Sequence, residues 1–243
     1  MVTKDIAAFA RENWSEKYSR TVEELSKDDQ NRPLIQSKTQ MFCFDAIIAD
    51  LFPEDRKPNS ADAIYLQKDG TVLLIEFKRG FKRIALLSDL KRKSKDKSLS
   101  VDGGTERADT DHVLSRQIQE TKIKLLKKEV SELKSSIQMK AMESYMALEK
   151  KIFPLCKELT HGKKEKLKFL VVIDEDNAAA GEEILAKPAK RQIVKNNPFD
   201  SLRQSLRRFK NQRDAAGQSY LYDEIDVISC REFSSYLKLE ANT

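Results

Sequence analysis

The sequence is poor in the residues that cross-link small folds or interrupt regular structure. Its 243 residues include only seven glycines, six prolines and three cysteines. Cys43, Cys156 and Cys230 lie far apart and show no CxxC spacing, so neither a disulfide framework nor a zinc knuckle is indicated. We expect buried free thiols instead. The low glycine and proline content, together with 40% hydrophobic residues, favours a folded chain over a disordered one.

Histidine and long apolar runs are also scarce. His112 and His161 are the only histidines and stand alone, which argues against His-based zinc sites and Ser-His-Asp catalysis. No apolar run approaches the roughly 20 residues that cross a bilayer, and the first residues lack an apolar signal core. We therefore expect a soluble, cytoplasmic protein without a membrane partner.

The charge balance is modestly basic. Lysine and arginine number 45 against 39 acidic residues, which gives a net charge of +6 and a pI of about 9.0. Such a balance permits a nucleic-acid partner without requiring one, because a solvated basic surface explains it equally well. Six basic side chains in two clusters are the candidates for contacts to a phosphate backbone. They are Arg79, Lys82, Arg83, Arg203, Arg207 and Lys210.

The order of predicted elements indicates an α/β fold in a single domain, residues 1–243. Apolar residues at helical spacing predict helices over residues 4–25 and 34–51. Asp69-Gly70 between two apolar runs predicts an antiparallel hairpin. Later elements are a strand buried on both faces, a helix that opens at Pro198, a last strand and a closing helix or tail. The predicted strands are Ala63–Leu66, 71–75, Leu167–Ile173 and Glu224–Ser229.

A long helical region occupies residues 112–160, after a predicted flexible loop over residues 91–111. Its apolar positions recur at steps of three and four, without glycine or proline up to residue 153. An unbroken helix over residues 112–153 would extend about 60 Å, so we expect a coiled arm or, preferably, a helical hairpin with a break near Ser135-Ser136. The apolar seam over residues 123–152 is a candidate homodimer surface. Its members are Ile123, Leu126, Val130, Leu133, Ile137, Ala141, Tyr145, Leu148 and Ile152.

The strongest chemical signal lies in the predicted hairpin. Glu76 and Lys78 are two residues apart on a strand, so their side chains share a face, while Phe77 points to the opposite one. Asp62 opens the partner strand, and the hairpin returns it to the end of the strand that carries Glu76. We therefore expect Asp62, Glu76 and Lys78 to meet at one end of the sheet.

Two neighbouring carboxylates repel each other, and a divalent cation removes this penalty. Mg²⁺ or Mn²⁺ on Asp62 and Glu76, with the Phe77 carbonyl as a third oxygen ligand, can activate water for attack on phosphorus. Lys78 would orient that water and offset the charge that builds on the phosphate.

Residues outside the hairpin are weaker candidates. Two polar residues of the long helical region, Gln117 and Lys140, are able to approach the pocket, but we expect both in solvent.

The pattern of Asp62 followed by Glu76-Phe77-Lys78 resembles the PD-(D/E)xK nuclease superfamily over residues 34–80. The resemblance implies a restriction-endonuclease-like core, with a mixed sheet flanked by helices, and metal-dependent hydrolysis of phosphodiester bonds, DNA being favoured over RNA. It also implies an acidic metal ligand on the helix before the hairpin, for which Asp45 is the first candidate and Glu24 the second. Ser60-Ala61 stands where the proline that gives the family its name would be. Two alternatives stay open. One is an exposed Glu-Lys pair on an ordinary hairpin, and the other is an inactive relative that binds nucleic acid or proteins.

Overall fold

The computed structural model describes residues 6–80, 86–87, 90, 109–156, 166–174, 198–209 and 221–242. These residues form a mixed α/β fold around a six-stranded sheet with strand order β1-β2-β3-β4-β5-β6, which confirms the predicted α/β class. Neighbouring strands are antiparallel from β1 to β4 and parallel from β4 to β6. The strands are β1 (Ser19–Thr21), β2 (Gln40–Cys43), β3 (Ala63–Leu66), β4 (Val72–Lys78), β5 (Leu167–Ile173) and β6 (Glu224–Ser229).

Helices pack on both faces of this sheet, and several are short. The described α-helices are α1 (Ile6–Asn13), α2 (Ser15–Tyr18), α3 (Val22–Leu25), α4 (Phe44–Leu51), α5 (Asp109–Ala147), α6 (Phe153–Leu155), α7 (Pro198–Leu206) and α8 (Cys230–Asn242). Short 3-10 helices cover Glu54–Arg56 and Arg207–Phe209, and a π-helical turn, Leu148–Ile152, follows α5. Within the described residues, none of the helices is both long and apolar enough to cross a membrane.

The predicted hairpin is confirmed. β3 and β4 pair antiparallel, with Ala63 opposite Ile75 near their open end. Two hydrogen bonds close the turn, from Gln67 N to Thr71 O at 2.9 Å and from Gly70 N to Gln67 O at 3.1 Å. Gly70 has φ +84°, a left-handed conformation that glycine adopts without a Cβ penalty. A short-range turn signal therefore sets the register that brings the two arms of the hairpin together.

The two faces of the sheet carry different cores. On one face, Leu74 packs in a cluster that includes Ile137 of α5. On the other face, Ile75 and Phe77 pack with residues of α3 and α8. Because side chains alternate along β4, Glu76 falls on the face covered by α5, opposite to Phe77, as predicted. The strand predicted to be buried, β5, lies between two parallel partners.

The long helix differs from the favoured prediction. α5 runs without interruption from Asp109 to Ala147, so the break expected near Ser135-Ser136 does not occur. Both serines are exposed, and an exposed serine costs a helix only a few tenths of a kcal/mol. Residues 91–108 of the predicted loop fall outside the described part of the chain, and residues 109–111 belong to α5.

The apolar seam of this helix is used inside the chain. Ile137, Ala141 and Leu148 are buried in the core beneath α5, and Leu126 and Val130 pack against a buried leucine of the segment after β4. These side chains are already buried within the single chain, so they provide no free apolar surface for a homodimer. A dimer through this seam stays a prediction that the packing does not support.

The N-terminal region also departs from prediction. Its apolar spacing predicts one helix in each of residues 4–25 and 34–51, but β1 interrupts the first and β2 lies within the second. The two strands pair antiparallel with each other. Thr21 then caps α3 in a capping box with Glu24. Strand pairing between segments about 20 residues apart therefore overrides a helical pattern within each segment.

The cysteines follow the prediction in part. Cys43, Cys156 and Cys230 are free thiols, as expected. Only Cys156 is buried, whereas the other two are partly exposed. Cys43 ends the short strand β2 and Cys230 begins α8, so both thiols lie at the edges of the cores and stay partly exposed.

Candidate active site

The two carboxylates of the motif meet where β3 and β4 begin to separate. Asp62 precedes β3, and its backbone N–H donates to Ile75 O at 3.0 Å. Its side chain turns toward β4, where Oδ2 accepts a hydrogen bond from Phe77 N at 2.7 Å. Asp62 is therefore fixed against the strand that carries Glu76, and its second oxygen, Oδ1, faces the side of the sheet covered by α5.

A lysine from the long helix lies between these carboxylates. Lys140 Nζ is 2.9 Å from Asp62 Oδ1 and 2.9 Å from Glu76 Oε2. The ammonium group thus bridges two acids from the two arms of the hairpin. The expectation that Lys140 would lie in solvent is wrong, since its side chain is only 21% exposed. Gln117, by contrast, is exposed as expected.

Two neighbours of Lys140 fasten α5 to the segment before β3. Lys140, Glu143 and Ser144 share one helix face because they are three and four residues apart. Ser144 Oγ accepts a hydrogen bond from Ala61 N at 2.8 Å. Glu143 accepts from the backbone and the side-chain amide of Asn59, the latter at 2.9 Å. The position of Lys140 between the carboxylates follows from this docking.

Burial dominates the electrostatics of the site. The side chain of Glu76 is fully buried, which together with the nearby Asp62 charge raises its pKa to about 7, against the opposing effect of Lys140 and Lys78. Burial alone would lower the pKa of Lys140, but the two carboxylates outweigh burial and raise that pKa above its usual range. The site thus holds two acids close together because cations compensate them.

Lys78 contacts the other oxygen of Glu76. Its Nζ lies 3.0 Å from Glu76 Oε1, and its side chain is 24% exposed. This contact is an ion pair without hydrogen-bond geometry, and Oε1 accepts no hydrogen bond from the described residues. The structure therefore brings Asp62, Glu76 and Lys78 together as predicted, with Lys78 more exposed than the buried glutamate.

Asp45 lies beside this group. Ser60 Oγ donates to Asp45 Oδ1 at 2.7 Å, and Lys57 Nζ is 3.0 Å from Asp45 Oδ2. Partial burial raises the pKa of Asp45, but the hydrogen bonds from Ser60 and Lys57 outweigh it and leave the pKa below its usual value. Ser60, two residues before Asp62, thus ties the upstream acid to the motif.

An open cleft of about 530 Å³ leads to Asp62 and Lys140. Both upstream acids considered for the site line it, together with basic side chains from the N-terminal segment. The lining residues are Arg20, Glu24, Leu25, Lys27, Cys43, Asp45, Asp62 and Lys140. A polyanion entering this cleft would meet both these basic side chains and the acids of the motif.

The donor set fits a divalent cation with few protein ligands. Asp62 and Glu76 each present one oxygen at 2.9 Å to the same cationic atom, Lys140 Nζ. Among the residues that the structure describes, no group of three His, Cys, Asp or Glu side chains is arranged to hold a metal ion. Mg²⁺ commonly binds through one or two carboxylates and completes its shell with water and phosphate oxygens, which matches this pair. The Phe77 carbonyl stays a predicted third ligand.

Two of the predicted nucleic-acid contacts are engaged within the fold. Arg79 lies 2.9 Å from Asp28 and donates to two backbone carbonyls of the loop that follows Asp28. Arg203 donates to Asp226 at 2.8 Å and to a backbone carbonyl of β6 at 2.6 Å. These two side chains therefore hold parts of the fold together.

Of the other four residues predicted to contact nucleic acid, one is exposed and three lie outside the described residues. Arg207 is exposed on a 3-10 turn, where it is accessible to a phosphate backbone. Lys82, Arg83 and Lys210 lie outside the described residues. Their contacts to nucleic acid stay predictions.

Sequence reasoning named Lys140 as able to approach the pocket but placed it in solvent, and it missed Ser144 of the same helix. Lys140 and Ser144 come 64 and 68 residues after Glu76 along the chain, and no local pattern links them to the motif. One signal is present, because Ser144 lies between Ala141 and Leu148 on the apolar seam. A polar residue at a buried seam position requires a hydrogen-bond partner, and here that partner is the backbone next to Asp62.

Comparisons of the chain with protein-family models, with curated proteins and with solved structures found no match.

Proposed function

We propose that this protein is a metal-dependent nuclease that hydrolyses phosphodiester bonds in DNA. One observation carries the proposal: Asp62 and Glu76 direct one oxygen each at a single cation position, and Lys78 lies beside the same glutamate. The resemblance of the motif to the PD-(D/E)xK superfamily, and with it a restriction-endonuclease-like core, is part of the proposal. The basic net charge and the basic side chains of the cleft favour a polyanionic substrate.

Each residue has a defined task in this proposal. Asp62 and Glu76 hold Mg²⁺ or Mn²⁺, and Phe77 N keeps Asp62 oriented through its 2.7 Å hydrogen bond. The cation supplies Lewis-acid activation at the phosphoryl group. Lys78 places a positive charge where the attacked phosphate gains negative charge, and it orients the attacking water. The open cleft admits the backbone of the nucleic acid.

A second candidate function is a nuclease-fold protein that binds nucleic acid, or a partner protein, without cutting. The position of Lys140 favours it, because an ammonium group that pairs with both carboxylates lessens the structural need for a metal. This candidate predicts binding without hydrolysis, whereas the nuclease proposal predicts both.

A cleavage assay decides between the two. Supercoiled plasmid, single-stranded DNA and RNA are incubated with the protein and Mg²⁺ or Mn²⁺, and nicked or shortened products are quantified. We expect wild type to cut DNA, and D62N, E76Q and K78M to lose at least about a hundredfold in rate.

The matched control is D69N, which changes an exposed acid in the turn of the same hairpin, where the side chain accepts from Thr71 N. An asparagine keeps an oxygen for that hydrogen bond, so D69N is expected to keep full activity. Wild type that binds DNA but cuts nothing with either metal would refute the nuclease proposal.

A further inference from the structure

The position of Lys140 calls for its own explanation. A lysine on a helix far along the chain lies 2.9 Å from both acids that the proposed function assigns to the metal. Its backbone is held in place there, because Ser144 and Glu143 on the same helix face accept hydrogen bonds from the segment before β3. The fold therefore places an ammonium group at this point.

The geometry distinguishes Lys140 from Lys78. Lys78 approaches Glu76 from the side of Oε1, while Lys140 lies between Oε2 of Glu76 and Oδ1 of Asp62. Only the second position is shared by both carboxylates. A divalent cation that used these two oxygens would therefore displace the Lys140 ammonium and leave Lys78 in place.

We infer that Lys140 is a tethered counter-ion that occupies the metal position in the metal-free protein and competes with the divalent cation for it. In the absence of metal it keeps a fully buried glutamate compensated, since an uncompensated buried charge strongly destabilises a fold. When the metal binds, the ammonium moves into the cleft that Arg20 and Lys27 also line, where it adds positive charge for the phosphate backbone. The inference rests on the proposed function, because it assumes a metal at Asp62 and Glu76.

Competition makes a distinctive prediction about affinity. Removing the ammonium in K140M should tighten Mn²⁺ binding by at least about tenfold, measured by calorimetry on the full chain at fixed salt. K140Q, which is neutral but keeps donors for the carboxylates, should also bind Mn²⁺ more tightly than wild type. K140R keeps the charge and should not bind Mn²⁺ more tightly than wild type.

Two further variants serve as controls for loss of charge. K78M removes a lysine beside the same glutamate but outside the shared position, so it should tighten binding by less than K140M. K128M removes an exposed lysine from the same helix and should leave the Mn²⁺ affinity unchanged.

Stability gives a readout that does not depend on activity. In EDTA, K140M should melt several degrees below wild type, and saturating Mn²⁺ should raise its melting temperature by more than it raises that of wild type. If K140M does not fold without metal, folding on addition of Mn²⁺ gives the same result, and K140Q supplies the affinity comparison.

The outcomes separate the inference from the proposed function. Equal or weaker Mn²⁺ affinity of K140M and K140Q, in a protein whose wild type cuts DNA, overturns the inference and leaves the nuclease proposal in place. Tighter binding by both variants, in a protein that cuts nothing, supports the inference and refutes the nuclease proposal. Absence of Mn²⁺ binding in wild type, K140M and K140Q overturns both.

Discussion

The hydrogen bond between Ser144 and Ala61 attaches the long helix to the segment that carries Asp62, and S144A tests its strength. Ser144 and Ala61 are both fully buried, and Ser144 Oγ accepts from Ala61 N at 2.8 Å. The substitution leaves a buried N–H without this acceptor, which costs about 1–3 kcal/mol. Replacing serine by alanine inside a helix returns about 0.5 kcal/mol through helix propensity.

The matched control is S136A, which makes the same chemical change at an exposed position of the same helix. Both variants gain the same propensity, so their difference isolates the hydrogen bond and the small cavity. We expect urea denaturation to place S144A about 1–3 kcal/mol below S136A, and thermal melting to place it roughly 2–6 °C lower for a protein of this size. Equal stability of the two variants would refute the view that this bond docks the helix.

Three further perturbations probe the site and its supports. In EDTA, the free energy of unfolding of wild type should fall by about 3 kcal/mol as pH rises from about 4.5 to about 7, because the raised pKa of Glu76 means that the folded chain holds that proton more tightly than the unfolded one. E76Q should lack this dependence on pH, so parallel curves for the two proteins would contradict the prediction. R203M loses two partners on β6 and should lower the free energy of unfolding in urea by about 1–2 kcal/mol after allowance for partial exposure. R207M, at an exposed site, should stay within about 0.5 kcal/mol of wild type, and equal values for the two variants would show that Arg203 does not stabilise the fold. G80A should lower the stability measured by thermal melting by about 1–3 kcal/mol, because Gly80 has φ +146°, which strains any other residue, and an added Cβ would lie 2.8 Å from a leucine methyl group of α5. The added Cβ of G70A meets no atom within 4 Å, so G70A should lose less stability, and a larger loss in G70A than in G80A would refute this reasoning.

The parts of the fold that the sequence predicts well are those with short-range signals. The Asp69-Gly70 turn and its flanking apolar runs specify the β3–β4 hairpin, and period-two alternation places Glu76 opposite Phe77. The continuous apolar run of β5 predicts a strand buried on both faces, and its side chains lie in both cores. Each of these features is determined by residues within about ten positions of one another.

The parts that the sequence does not predict depend on contacts between distant segments. β1 and β2 lie in segments with helical apolar spacing, and their pairing with each other makes them strands. Lys140 carries no local mark of function, because its role depends on which face of α5 meets the hairpin. That face is defined by Ser144 and Glu143, whose partners lie more than 80 residues earlier in the chain. Tertiary packing, rather than local propensity, therefore completes the site.

The central claim is that Asp62 and Glu76 hold a divalent cation on which phosphodiester hydrolysis depends. The most direct test titrates Mn²⁺ into EDTA-treated protein and records bound metal and plasmid nicking in the same samples, for wild type and for E76Q. We predict that nicking by wild type rises in proportion to occupancy of one site, and that E76Q loses both that site and the nicking. Nicking that E76Q retains, or metal binding that is unrelated to nicking, would contradict the account.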